Sequence, residues 1–82
     1  MKTNTKIMIV DDAEMNRGIL MPLLGDEYEY VQAENGRQAI HILQQDMNID
    51  LMLLDINMPE MNGFQVLDRM HTVPWMNDIP VI

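Results

Sequence analysis

Two stretches of this 82-residue chain place carboxylates where chemistry could use them. Asp11 and Asp12 follow the apolar run Lys6–Val10 (KIMIV), and Asp55 closes the apolar run LMLL within LMLLDINMP. An ionised side chain at the end of a buried strand is costly unless something pairs with it. In an open parallel sheet, ligands collect beyond the carboxyl ends of the strands, near the point where strand order reverses. If the first and third strands are neighbours, all three acids meet in one crevice. Together they repel strongly and cannot all stay ionised unaided, so protons or a cation must bind.

Mg²⁺ suits such a crevice, because it takes hard oxygen ligands and bridges carboxylates to phosphate. Cysteine is absent, and His41 and His71 fall on predicted helices away from this edge, which argues against zinc. An Asp-Asp pair taken alone more often makes a turn or a helix cap. The acid closing a second apolar strand of the same array is what favours a metal site. No glycine-rich loop follows the first strand, and no nucleophile elbow is present. What is left for Asp55 is the role of a carboxylate nucleophile toward an activated phosphoryl group, giving a labile acyl phosphate.

The elements that must position these acids can be read from periodicity. Lys6–Val10 predicts a strand buried on both faces. Ala13 to Leu24 predicts a helix carrying Met15, Ile19, Leu20, Leu23 and Leu24, although Pro22 opposes its last turn by removing a donor and crowding Gly18. Tyr28–Ala33 predicts a strand near a sheet edge. Asn35-Gly36 caps a helix bearing Ala39, Ile40, Leu43 and Met47, and Asp50–Leu54 follows as the third strand. Phe64, Leu67 and Met70, with Val66 beside them, describe a third helix after the Asn62-Gly63 turn. Thr72–Asp78 is expected as a loop with Trp75 against that helix, and Ile79–Ile82 as the start of a fourth strand. Strands alternating with helices imply right-handed crossovers and a parallel α/β sheet.

Composition narrows the possible partners. A net charge of −8, from 13 acidic and 5 basic residues, opposes nucleic acid phosphates and anionic lipid. No apolar run approaches the roughly 20 residues of a membrane span, and the short stretch before Asp11 does not make a secretory signal. A cytoplasmic location is therefore expected, with neither nucleic acid nor membrane as partner. The ten methionines read as adaptable core filling.

The segments IMIVDDAEMNR, AENGRQAI, DLMLLDINMPEMNGFQVL and IPVI, in this order and spacing, resemble the receiver domain of two-component response regulators. The resemblance implies a flavodoxin-like, doubly wound sheet in the order 2-1-3-4-5. It makes Asp55 the phosphoacceptor, Asp12 a direct Mg²⁺ ligand, Asp11 a ligand chiefly through water, and Asn57 a ligand through its backbone carbonyl. Asp55 shares the ion. Pro59 and Gly63 match positions that shape the loop behind the site.

A Thr or Ser after the fourth strand and a Lys after the fifth, which receivers also need, are expected beyond Ile82. Residues 1–82 thus read as the N-terminal two-thirds of a receiver, with strand five and the last two helices missing. The implied partner is a sensor histidine kinase or phosphotransfer protein. A receiver catalyses only its own phosphorylation and dephosphorylation, and this chain is expected to do so poorly. It is also expected to self-associate through the bared edge of the fourth strand and the exposed face of the first helix.

Two other readings compete. The chain could serve as a protein-interaction module, or it could be a Mg²⁺-dependent phosphatase with an aspartyl intermediate. The second would want an acid where Asn57 stands. Arg37 and Arg69 read as helix-surface charges and His41 as a surface residue. The stretch VDDAEMNR resembles receivers joined to larger signalling enzymes, hybrid kinases and cyclic-dinucleotide enzymes among them.

Overall fold

β1 (Lys6–Val10) is the central element, and its Ile7, Met8, Ile9 and Val10 side chains are all buried. The computed structural model describes residues 5–46, 48–56, 58 and 61–82. In it β1 lies between β2 (Glu29–Ala33) and β3 (Leu51–Leu54), parallel to both, in the order β2-β1-β3. The helices are α1 (Glu14–Leu24), α2 (Gly36–Gln45), α3 (Gly63–His71) and the single turn α4 (Pro74–Asn77).

Alternation along the strands divides the sheet into two faces. Met8, Val10, Ala33 and Met52 join Ala39, Ile40 and Leu43 of α2 and Val66 and Met70 of α3 in the main core. On the opposite face Ile9 and Leu53 line a common cavity with Leu20 of α1. Both sides of β1 are thus covered, as an all-parallel sheet requires. Methionine fills this interior as expected: Met8, Met52, Met58, Met70 and Met76 are buried.

Residues 79–82 run beside β3 on the side away from β1. Val81 bridges Met52 in parallel, the Met52 amide donates to Pro80 O at 3.0 Å, and the Leu54 amide donates to Ile82 O at 2.9 Å. The start of a fourth strand is therefore where the sequence places it, in the order 2-1-3-4.

Several details depart from the sequence reading. The five apolar residues of α1 do not form one buried face, because they lie on two stripes. Leu20 faces the sheet, while Met15 (77% exposed), Ile19 and Leu23 lie open along the other stripe. The helix continues through Pro22 to Leu24. Phe64 is exposed and its neighbour Val66 is fully buried, so α3 is rotated from the expected facing. The expected loop over Thr72–Asp78 contains α4, started by Pro74 at its first position. Met47 lies outside the described residues.

Side-chain caps start both central helices. Asn35 accepts from the Gln38 amide at 2.7 Å. Asn62 and Gln65 form a reciprocal capping box, each side chain accepting from the other's backbone amide at 3.0 and 2.9 Å. Asn62→Ala is expected to remove about 1 kcal/mol of stability. In thermal unfolding followed by circular dichroism this should appear as a fall of roughly 5 °C in Tm.

Candidate functional site

The register of the sheet brings the acids together. Val10 of β1 is level with Ala33 on one side and Leu54 on the other. The next amides extend the ladders by one rung: Asp11 N–H donates to Ala33 O at 3.1 Å, and Asp55 N–H donates to Val10 O at 2.9 Å. Asp11 and Asp55 therefore leave adjacent strands at the same height. Asp12 joins them as the chain turns toward α1, and one carboxylate oxygen from each acid lies within 4.8 Å of the others. Asp11 and Asp55 are half-buried, while Asp12 is exposed.

Local contacts hold this arrangement. The Asp11 carboxylate accepts from the Ala13 amide at 2.9 Å and from Asn16 Nδ2 at 3.3 Å, which fixes its rotamer and starts α1. On the other side Gly63 lets α3 begin directly behind Asp55. A Cβ there would sit 2.8 Å from the Asp55 carbonyl oxygen and 2.8 Å from Ile56 Cα. The Gly63 amide closes the loop by donating to Ile56 O at 3.0 Å. Gly63 thus lies where the sequence puts it, while Asn57 and Pro59 lie outside the described residues.

Sequence reasoning missed Arg17. It is the buried residue of α1, 9% exposed, on the stripe that faces the sheet. Its Nη1 donates to the Asp11 backbone carbonyl and its Nε donates to Gln32 Oε1 at 3.0 Å. One guanidinium therefore ties α1 to the end of β1 and to β2. The signal was available, since Arg17 shares a stripe with Ala13 and Leu20 among residues otherwise apolar or small.

Three carboxylates this close repel one another by roughly 1 kcal/mol per pair in full solvent, and by about 3 where solvent is partly excluded. The arrangement offers only hard oxygen donors. With Mg²⁺–oxygen bonds of about 2.1 Å, two ligand oxygens on one ion stand roughly 3.0 to 4.2 Å apart. Small side-chain rotations would bring these oxygens into that range, so the residues present fit such an ion.

An acidic edge at the carboxyl ends of neighbouring parallel strands, with helices on both faces and no glycine-rich loop after β1, is compatible with a signalling receiver and offers no phosphate cradle for a dinucleotide. The chain belongs to the response regulator receiver domain family, whose model matches residues 7–82. Among curated relatives, a probable cyclic di-GMP phosphodiesterase of Vibrio cholerae is 42% identical over 76 residues, covering 93% of this chain and 17% of the relative. The two-component response regulator ORR3 of Oryza sativa is 31% identical over 77 residues, covering 93% and 59%. The signal transduction histidine-protein kinase BarA of Escherichia coli is 36% identical over 77 residues, covering 93% and 8%. The chain therefore spans less than two thirds of each of these relatives.

Solved structures agree on the fold. The chemotaxis response regulator CheY4 of Vibrio cholerae superimposes with a TM-score of 0.88 at 30% identity, covering 96% of this chain and 66% of that one. The signal receiver domain of a histidine kinase from Syntrophus aciditrophicus gives 0.87 at 31%, covering 94% and 58%.

Arg17→Met keeps most of the aliphatic stem and removes both donors, leaving the Asp11 carbonyl and Gln32 without this partner. A loss of about 1–3 kcal/mol is expected, read as a lower urea midpoint with an unchanged slope.

Proposed function

We propose that the chain is a phosphoacceptor that takes a phosphoryl group onto Asp55 from a phosphohistidine of a sensor kinase or phosphotransfer protein. The convergence of Asp11, Asp12 and Asp55 at one sheet edge carries this reading. An Asp55 carboxylate oxygen attacks phosphorus, the new P–O bond forms as the P–N bond breaks, and the imidazole nitrogen leaves with the electron pair. A bound Mg²⁺ would screen the carboxylates and the incoming phosphoryl oxygens. Asp12 and the Asn57 carbonyl are proposed as direct ligands, with Asp11 acting chiefly through water and oriented by Ala13 and Asn16.

The donor class is supported by the match to BarA, a signal transduction histidine-protein kinase. The small share of BarA and of the phosphodiesterase that the chain covers supports a receiver that switches the output of a larger signalling protein. Among the described residues no helix is long and apolar enough to cross a membrane. We place the chain in the cytoplasm, where a kinase would meet it.

Phosphorylation by acetyl phosphate is expected to be strictly dependent on Asp55 and Mg²⁺. Intact-mass measurement should find the phosphate adduct in the parent chain and not in Asp55→Asn. An adduct that persists in Asp55→Asn, or that forms equally in EDTA, sinks the assignment. Mg²⁺ binding, followed by the amide signals of residues 11, 12 and 55, should weaken roughly tenfold in Asp12→Asn.

A second reading, homodimerisation as an interaction module, rests on the open stripe of Met15, Ile19 and Leu23 on α1. Sedimentation at rising concentration should show a dimer that Met15→Glu/Leu23→Glu abolishes. A parent chain that sediments as a monomer throughout removes this reading.

A further inference from the structure

On the side of the sheet that carries α2 and α3, two exposed arginines, Arg37 and Arg69, stand with one acid, Asp68, on these two helices. The chain has 13 acids against 5 lysines and arginines, yet α2 (GRQAIHILQQ) contains no acid. Arg37, Ile40, His41 and Gln44 recur along one side of this helix. With Met61 and Arg69 they line a groove of about 340 Å³ between α2 and α3. Ile40 is buried and Met61 half-buried, giving an apolar floor, while Arg37, His41, Gln44 and Arg69 are exposed around it.

The other described cations are committed elsewhere. Lys6 donates to Asp46 at 2.9 Å, a hydrogen bond that raises its pKa, and Arg17 holds the strand ends. Arg37 and Arg69 make no side-chain hydrogen bond or ion pair among the described residues, and both border this groove, Arg69 beside Asp68 on its outer side.

We infer that the groove docks a short acidic segment of a protein partner. An apolar side chain of that segment rests on Ile40 and Met61, and flanking carboxylates meet Arg37 and Arg69. The guanidinium fork matches a carboxylate in two-point fashion. The two arginines stand on separate helices with apolar surface between them, so a lone inorganic anion would leave the floor uncovered. A nucleic acid would carry its charge beyond the groove into the repulsive field of a chain with net charge −8. That same field repels an acidic segment everywhere else and so fixes its place and orientation. This surface is separate from the acidic edge, and the inference goes beyond the proposed phosphoacceptor role.

The test is an NMR titration of the ¹⁵N-labelled chain with a short peptide in which glutamates and aspartates flank leucines. Amide signals of residues 37, 40, 41, 44, 61 and 69 should move together, with affinity falling as salt rises. Arg37→Glu/Arg69→Glu should weaken binding roughly tenfold and Arg37→Gln/Arg69→Gln by less, both with unchanged circular dichroism. Asp55→Asn should bind the peptide as the parent chain does, which separates this result from failure of the phosphoacceptor reading. The inference is overturned if an asparagine/glutamine version of the peptide binds equally well. It is also overturned if the charge-reversed variant binds as the parent does, or if inorganic phosphate competes at the peptide's own concentration.

Discussion

The structure depends on β1 being paired on both sides and buried on both faces. A parallel ladder has no freedom to slide once alternate side chains are committed to opposite faces, because a one-residue slip would exchange core for solvent all along the strand. Met8 and Val10 must face α2 and α3, and Ile7 and Ile9 must face the other way. That sets Val10 level with Ala33 and Leu54. The positions of Asp11 and Asp55 then follow without any attraction between them. Apolar burial holds together side chains that repel each other, so the charge density of the site is maintained by the core beneath it.

The same division of labour shows in the polar contacts around Asp11. Asp11 is oriented by the amide of Ala13 and by Asn16, both supplied by the turn into α1. Arg17 binds the Asp11 backbone carbonyl rather than its carboxylate, so its tie is made through the main chain. A cation bonded directly to the Asp11 carboxylate would offset the repulsion among the three acids that the proposed Mg²⁺ would relieve. A cation on the carbonyl steadies the strand end and leaves the negative charge of the carboxylate undiminished.

Much of this was legible in the sequence because the strands are short, apolar and interrupted by acids. KIMIV before Asp11 and LMLL before Asp55 state both the burial and its end. The Asn-Gly pairs at 35–36 and 62–63 mark helix starts through side-chain chemistry that acts within a few residues. What periodicity missed depends on how helices are rotated against the sheet. Phe64 and Val66 both look like core residues of α3, and only packing against α2 decides that Val66 goes inside. In α1, Met15, Ile19 and Leu23 keep the same spacing as the stripe that touches the sheet, so spacing alone could not separate the two. Arg17 was overlooked because a charged residue on a helix is ordinarily solvated, and its acceptors lie 6 and 15 residues away along the chain.

The two glycines around the β3–α3 loop have a mechanical meaning. At one end Gly63 brings α3 against the Asp55 carbonyl. At the other, the Met61 carbonyl abuts Gly36, where an added Cβ would fall 2.5 Å away. Neither position has room for a side chain between the loop and the helix N-terminus that meets it. A side chain at either glycine would therefore wedge a helix N-terminus away from the loop, α3 from the Asp55 carbonyl at Gly63 and α2 from Met61 at Gly36.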